Sequence, residues 1–148
     1  MVEFKLCINN PKNGKSYTKS INGEETFAFK SKKIKDKVIG NTFGFKNYEF
    51  EITGGSDNAG FPMRYDLNSQ GRKKVLLTKG PCVKIKRKGM RKRKTVRGNI
   101  ITTFISQINL KILKEGDKKI TEVLGIEEKP KEKPVEEKSK EAPREESK

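Results

Sequence analysis

Thirteen of the chain's 35 Lys and Arg residues lie between Arg72 and Arg97, in a stretch that contains no acid. They are Arg72, Lys73, Lys74, Lys79, Lys84, Lys86, Arg87, Lys88, Arg91, Lys92, Arg93, Lys94 and Arg97. Like charges at this density repel one another, and docking onto phosphates relieves the repulsion and orders the segment. The chemistry on offer is anion recognition. A guanidinium grips a phosphate with two hydrogen bonds and stacks on an unpaired base, while an ammonium supplies charge and steering. A solvated loop or a localisation signal is the plainer reading of the same residues.

The second unusual stretch is Thr53-Gly54-Gly55-Ser56-Asp57-Asn58-Ala59-Gly60-Phe61-Pro62-Met63-Arg64. Adjacent glycines permit positive backbone torsions or close approach by another backbone, and Asp57 and Asn58 can hold a turn through local amides. Phe61-Pro62-Met63 can pin the loop to a core. A phosphate cradle would need a following Gly-Lys-Ser/Thr and a helix, and neither is present. The stretch therefore reads as a structural loop built on Gly54, Gly55, Asp57, Gly60 and Pro62, aiming Arg64 at an anionic partner.

Other chemistries are poorly supplied. The chain has no histidine and only two cysteines, Cys7 and Cys82. A structural zinc site draws four ligands from Cys and His, so no metal is expected. Two isolated thiols suit a reducing compartment. A serine or cysteine nucleophile would lack its usual base, and Asp57 has no second carboxylate beside it, so no enzyme, cofactor or small-molecule substrate is expected. The N-terminal residues lack the basic-then-apolar pattern of a signal peptide and no apolar run is long enough to span a bilayer, so a cytoplasmic, membrane-free protein is expected.

The elements that must position these residues are mostly short strands. In 148 residues, 36% are charged and 31% hydrophobic, with a formal net charge of +16. That composition allows one small core and favours an anionic partner, nucleic acid above all. Phe4, Leu6 and Ile8 alternate with polar residues, as do Ile108, Leu110 and Ile112, and Tyr48 to Ile52 alternates too. Further strands are expected at Lys15–Ile21 between two Asn-Gly turns, at Thr26–Lys30, Lys73–Lys79, Cys82–Lys86 and Ile100–Phe104. Ser31–Ile39 is ambiguous, with a short helix capped by Ser31 as one option, and Lys118–Gly125 suggests a short helix or turn. The pattern predicts a mainly-β chain: a small antiparallel barrel-like domain over residues 1–126, with one or two short helices and a basic loop at 84–98. From Glu127 to Lys148 eight acids and seven bases alternate with prolines, and Val135 is the only sizeable apolar side chain. That tail is expected to stay solvated.

Both unusual stretches carry a resemblance. Ile52-Thr53-Gly54-Gly55-Ser56-Asp57-Asn58-Ala59-Gly60-Phe61-Pro62-Met63 and Arg91-Lys92-Arg93-Lys94-Thr95-Val96-Arg97-Gly98 resemble the signature blocks of the archaeal and eukaryotic family of ribosomal protein S-six, as do Gly71-Arg72 and Leu76-Leu77-Thr78-Lys79-Gly80. The order and spacing match over roughly residues 2–126. The resemblance implies a β-barrel-like body bound to small-subunit ribosomal RNA among other small-subunit ribosomal proteins, with no cofactor. The long basic C-terminal helix with phosphorylation sites found in eukaryotic members has no counterpart in Glu127–Lys148, so the chain looks like the short archaeal form. The thirteen bases of the Arg72–Arg97 stretch, apart from Lys79 and together with Arg64, are the expected RNA contacts. A free-standing RNA chaperone or chromatin-type nucleic-acid-binding protein is the alternative.

Overall fold

A computed structural model describes residues 3–124 apart from Pro81 and Asp117. The tail at 127–148 lies outside the described residues. Five strands form one sheet in the order β2-β1-β7-β4-β3, and two more, β5 and β6, form a separate ribbon. The strands are β1 (Glu3–Asn10), β2 (Lys15–Asn22), β3 (Lys37–Ile39), β4 (Glu49–Asp57), β5 (Arg72–Leu77), β6 (Lys92–Arg97) and β7 (Ile105–Lys114). One short helix, α1 (Ile120–Val123), and two 3₁₀ turns, Gly23–Ala28 and Gly40–Phe43, complete the described elements. The mainly-β class therefore holds. The sheet is open rather than closed, and β1 pairs with β7 in parallel while the other pairings are antiparallel.

Period-two alternation explains the sheet. Phe4, Leu6 and Ile8 of β1 and Ile108, Leu110 and Ile112 of β7 face one core with Phe50 and Ile52 of β4. Aromatic rings dominate that core. Phe43 lies 5.2 Å from Phe29 and 5.5 Å from Phe50, and Phe45 packs edge-on against both Phe43 and Phe50. Tyr48 stacks on Phe50 and donates its hydroxyl to the Lys118 carbonyl at 2.6 Å, tying the segment before α1 to the sheet.

Three expected strands are absent, and the ambiguous segment Ser31–Ile39 is not a helix. Thr26–Lys30 is not a strand: most of it belongs to the first 3₁₀ turn, closed by a 2.6 Å bond from the Thr26 hydroxyl to the Gly23 carbonyl. Phe27 points to solvent while Phe29 is fully buried, which strict alternation would not allow. Ser31 and Lys35 both have positive φ, which breaks any helix across Ser31–Ile39. Their amides bond to Ile101 and Ile52 instead. Ile100–Phe104 is irregular, with a single bridge from Ile100 to Lys33, and the described residues of Cys82–Lys86 form no strand.

Phe50 touches three ring neighbours and has no exposed surface. Phe50→Ala should lower unfolding free energy by about 3–5 kcal/mol in urea titration. Ile39→Ala, on the exposed edge of β3, should change it by no more than about 0.5 kcal/mol.

Candidate nucleic-acid interface

The ribbon is the basic stretch folded back on itself. Arg72 pairs with Arg97, Lys73 with Val96, Lys74 with Thr95, Val75 with Lys94, Leu76 with Arg93 and Leu77 with Lys92. The expected basic loop 84–98 is thus only partly a loop, because Lys92–Arg97 is strand β6. Valine, threonine and leucine interleaved with the charges favour extended backbone, and Leu77 and Val96 are buried on one face. Six residue pairs make an arm about 20 Å long.

The glycine-rich stretch roots this arm. Thr53 to Asp57 extends β4 rather than forming a loop, and its pairing with β7 slips between Ile52 and Gly54. Gly55 is needed because a Cβ there would strike the Gln107 carbonyl of β7. Gly60, at φ +80, turns the chain back so that Asp57 bonds through its amide to Phe61 and Met63 to Gly55. The end of β6 then docks outside this turn: the Arg97 amide donates to the Pro62 carbonyl at 2.9 Å and the Arg64 amide to the Arg97 carbonyl at 3.0 Å. Met63 sits in the core and anchors the whole turn.

Asp57 holds the two strands together electrostatically. Its fully buried carboxylate accepts from Arg72 Nε at 2.7 Å and from Arg97 Nη1 at 2.8 Å, both on the same oxygen. Arg72 and Arg97 are cross-strand partners, so without an anion between them like charges would face each other at the root of the ribbon. Burial alone pushes the Asp57 carboxyl up. The Arg72 hydrogen bond and the two guanidinium charges outweigh it and hold the group below the usual carboxylate range. Arg97 is itself buried at 5% exposure and donates its other terminal nitrogen to Thr102 at 2.7 Å.

Three residues expected at the RNA surface are therefore committed internally. Arg97 is a buried strut. Arg72 is half-exposed but bonded to Asp57 and lies over the Phe61 ring, 5.0 Å from its centre. Arg64 does not reach outward: its Nε donates to Asp66 at 2.8 Å and its Nη1 to the Lys79 carbonyl at 3.3 Å, bracing the chain beyond β5. Lys73, Lys74, Lys84, Lys86, Arg87, Lys88, Arg91, Arg93 and Lys94 are exposed and Lys92 is half-buried. Among the described residues none of these ten has an ion-pair partner.

The structure adds a second basic stretch that charge density in the first had overshadowed. Lys30, Lys32, Lys33, Lys35 and Lys37 fall within eight positions, and all five are exposed. Lys33 is bridged to Ile100, three residues beyond β6, and Lys35 lies 4.8 Å from the centre of the exposed Tyr65 ring. The lysine density is visible in the sequence; its place at the root of the ribbon is not. Cys7 and Cys82 are free thiols. Among the described residues no cluster of His, Cys, Asp and Glu could hold a metal, and no helix is long and apolar enough to cross a membrane.

The described chain is a β-sheet body that carries a strongly cationic two-stranded arm. The Ribosomal protein S6e family model matches residues 4–125, and the chain belongs to that family. It is 43% identical over 127 residues to the small ribosomal subunit protein eS6 of Methanocaldococcus jannaschii, covering 86% of this chain and 95% of that one. It is 40% identical over 123 residues to the eS6 protein of Archaeoglobus fulgidus, covering 82% and 95%, and 38% identical over 129 residues to that of Methanocella arvoryzae, covering 87% and 91%. These relatives are archaeal, in keeping with the short form. Members of the family are structural components of the ribosome and not enzymes.

Asp57→Ala leaves Arg97 buried without its anion and should cost about 3–5 kcal/mol in urea denaturation. Because the folded-state carboxyl is depressed, its contribution is complete above the unfolded value of about 3.9 and fades as pH falls further, through the folded pKa. Protection of the Arg64 and Arg97 amides, taken relative to intrinsic exchange at the same pH, should fall over that acid range in the wild type. In Asp57→Asn that protection should already be low at neutral pH and change little on acidification.

Proposed function

We propose that this protein is a structural constituent of the small ribosomal subunit that binds ribosomal RNA through the β5–β6 ribbon and the chain between its strands. The observation that carries this reading is the set of ten lysines and arginines on the ribbon and in the chain between its strands that have no ion-pair partner among the described residues, beside a root where Arg64, Arg72 and Arg97 are paired. Membership of the S6e family, with relatives named as small-subunit proteins, supports the same partner. The side chains would neutralise phosphates that RNA folding brings together. They would read backbone and shape, since the major groove of A-form RNA is too narrow for side chains. Lys32, Lys33 and Lys35 would widen the contact beside the root. Other ribosomal proteins of the small subunit are the expected neighbours, with no membrane and no small-molecule substrate involved.

A triple variant Arg91→Ala, Arg93→Ala, Lys94→Ala should fold normally, because none of the three is paired internally. Its affinity for small-subunit RNA should fall, and the slope of log affinity against log salt should flatten by about 0.7–0.9 for each phosphate left without its cation. An unaltered slope would remove the ribbon from the interface. In sucrose gradients the wild type should stay with small subunits through a salt wash that releases the variant. Equal binding to any duplex, with no partition into subunits, would point instead to a free-standing nucleic-acid chaperone.

A further inference from the structure

Beside the root of the ribbon lies a cleft of about 440 Å³, lined by Lys30, Gln70, Arg97, Thr102, Thr103 and Phe104 among others. That size falls within the about 300–1,000 Å³ of ordinary ligand clefts. The outward-facing ribbon charges do not reach into it. We propose that this cleft receives a single unstacked nucleotide of the bound RNA, its base against Phe104 and its phosphate toward Lys30. This rests on the RNA-binding reading above and adds to it a site for one nucleotide.

Three features select that ligand. Phe104 leaves 62% of its surface exposed on a chain whose other phenylalanines, apart from Phe27 and the half-buried Phe61, are buried. The Arg97 guanidinium carbon lies 5.6 Å from the Phe104 ring centre, so a cation already sits against the ring on which a base would stack. Arg97 is held there by its bonds to Asp57 and Thr102. No carboxylate lines the cleft, while Lys30 adds a positive charge at its edge. Gln70 offers both a donor and an acceptor for a base edge, and Thr103 an exposed hydroxyl. An aromatic platform, an amide and a cation are the combination by which proteins hold splayed bases of RNA.

The test compares two hairpin RNAs of equal length, one fully paired and one carrying a single bulged nucleotide, with each of the four bases in the bulge. Wild type should bind at least one bulged hairpin more tightly than the paired one. Phe104→Ala should erase that preference, a loss of roughly 5- to 150-fold as expected for one stacked base. It should leave the paired hairpin and the salt slope unchanged, and Phe104→Trp should restore the preference. The ribbon triple variant should weaken both RNAs and keep their ratio. Ultraviolet crosslinking of a bulged uridine should place the adduct on the peptide containing Thr102 to Phe104. Equal binding of paired and bulged RNA by wild type, or a Phe104→Ala loss shared by both, would overturn the cleft while leaving the ribbon reading intact. Failure of wild type to bind either RNA would overturn both. Saturation by free AMP in the micromolar range, with no bulge preference, would assign the cleft to a free nucleotide and also overturn the proposal.

Discussion

One buried carboxylate oxygen organises the cationic half of this molecule. Asp57 Oδ2 accepts from Arg72 and Arg97 at once, and those arginines stand opposite each other where β5 and β6 leave the body. Seven of the thirteen bases stand on the two strands, and without this carboxylate the first cross-strand pair would be a bare repulsion. The anion comes from the end of β4, so the ribbon is bound electrostatically to a strand whose neighbours form the core. Backbone bonds from Arg97 to Pro62 and Arg64 then fix the direction in which the arm leaves.

This arrangement divides the basic residues into two kinds that composition cannot separate. Arg64, Arg72 and Arg97 spend their guanidinium groups on Asp66, the Lys79 carbonyl and Asp57. Of the ten beyond them nine are exposed and Lys92 is half-buried, and none has an ion-pair partner among the described residues. Stability is thereby supplied at the root by charges that are satisfied, while the charges along the arm contribute nothing to it. The buried Asp57 pairs keep their value at high salt because they are shielded from it, whereas the outward charges lose theirs as counterions compete.

Much of the sheet could be read from residue types. Alternation in β1, β4 and β7 and the Asn-Gly turns around β2 identify four of its five strands, since a half-buried strand leaves a period of two in hydrophobicity. The errors cluster where long-range contacts override local pattern. Phe27 and Phe29 look like one face of a strand, yet a 3₁₀ turn sends one outward and the other into the aromatic cluster. Lys92–Arg97 looks like loop because its charge conceals Val96 and Thr95, which extend it. The glycine pair Gly54-Gly55 looks like a turn, but Gly55 is there because β7 passes close alongside, while a Cβ at Gly54 would meet nothing. For the site, charge density marks the stretch that the structure folds into the arm. Which arginines were spent internally depended on where Asp57 landed, forty residues from Arg97 in sequence, and no local pattern records that.

The sheet order carries a consequence for how the chain is made. β7 lies between β1 and β4, so the middle strand is the latest of the seven to leave the ribosome during synthesis. Until residues 105–114 emerge, the β1–β2 hairpin and the β3–β4 pair have no shared partner, and each exposes a hydrophobic face and an open edge. The ribbon strands are made earlier, but the Arg97 side chain needs Thr102 and the body's core to settle. Folding is therefore gated by the closing of a contact about a hundred residues long, a slow step by topology. A nascent chain with a charged arm and an unfinished sheet exposes apolar surface and open strand edges until that last strand arrives.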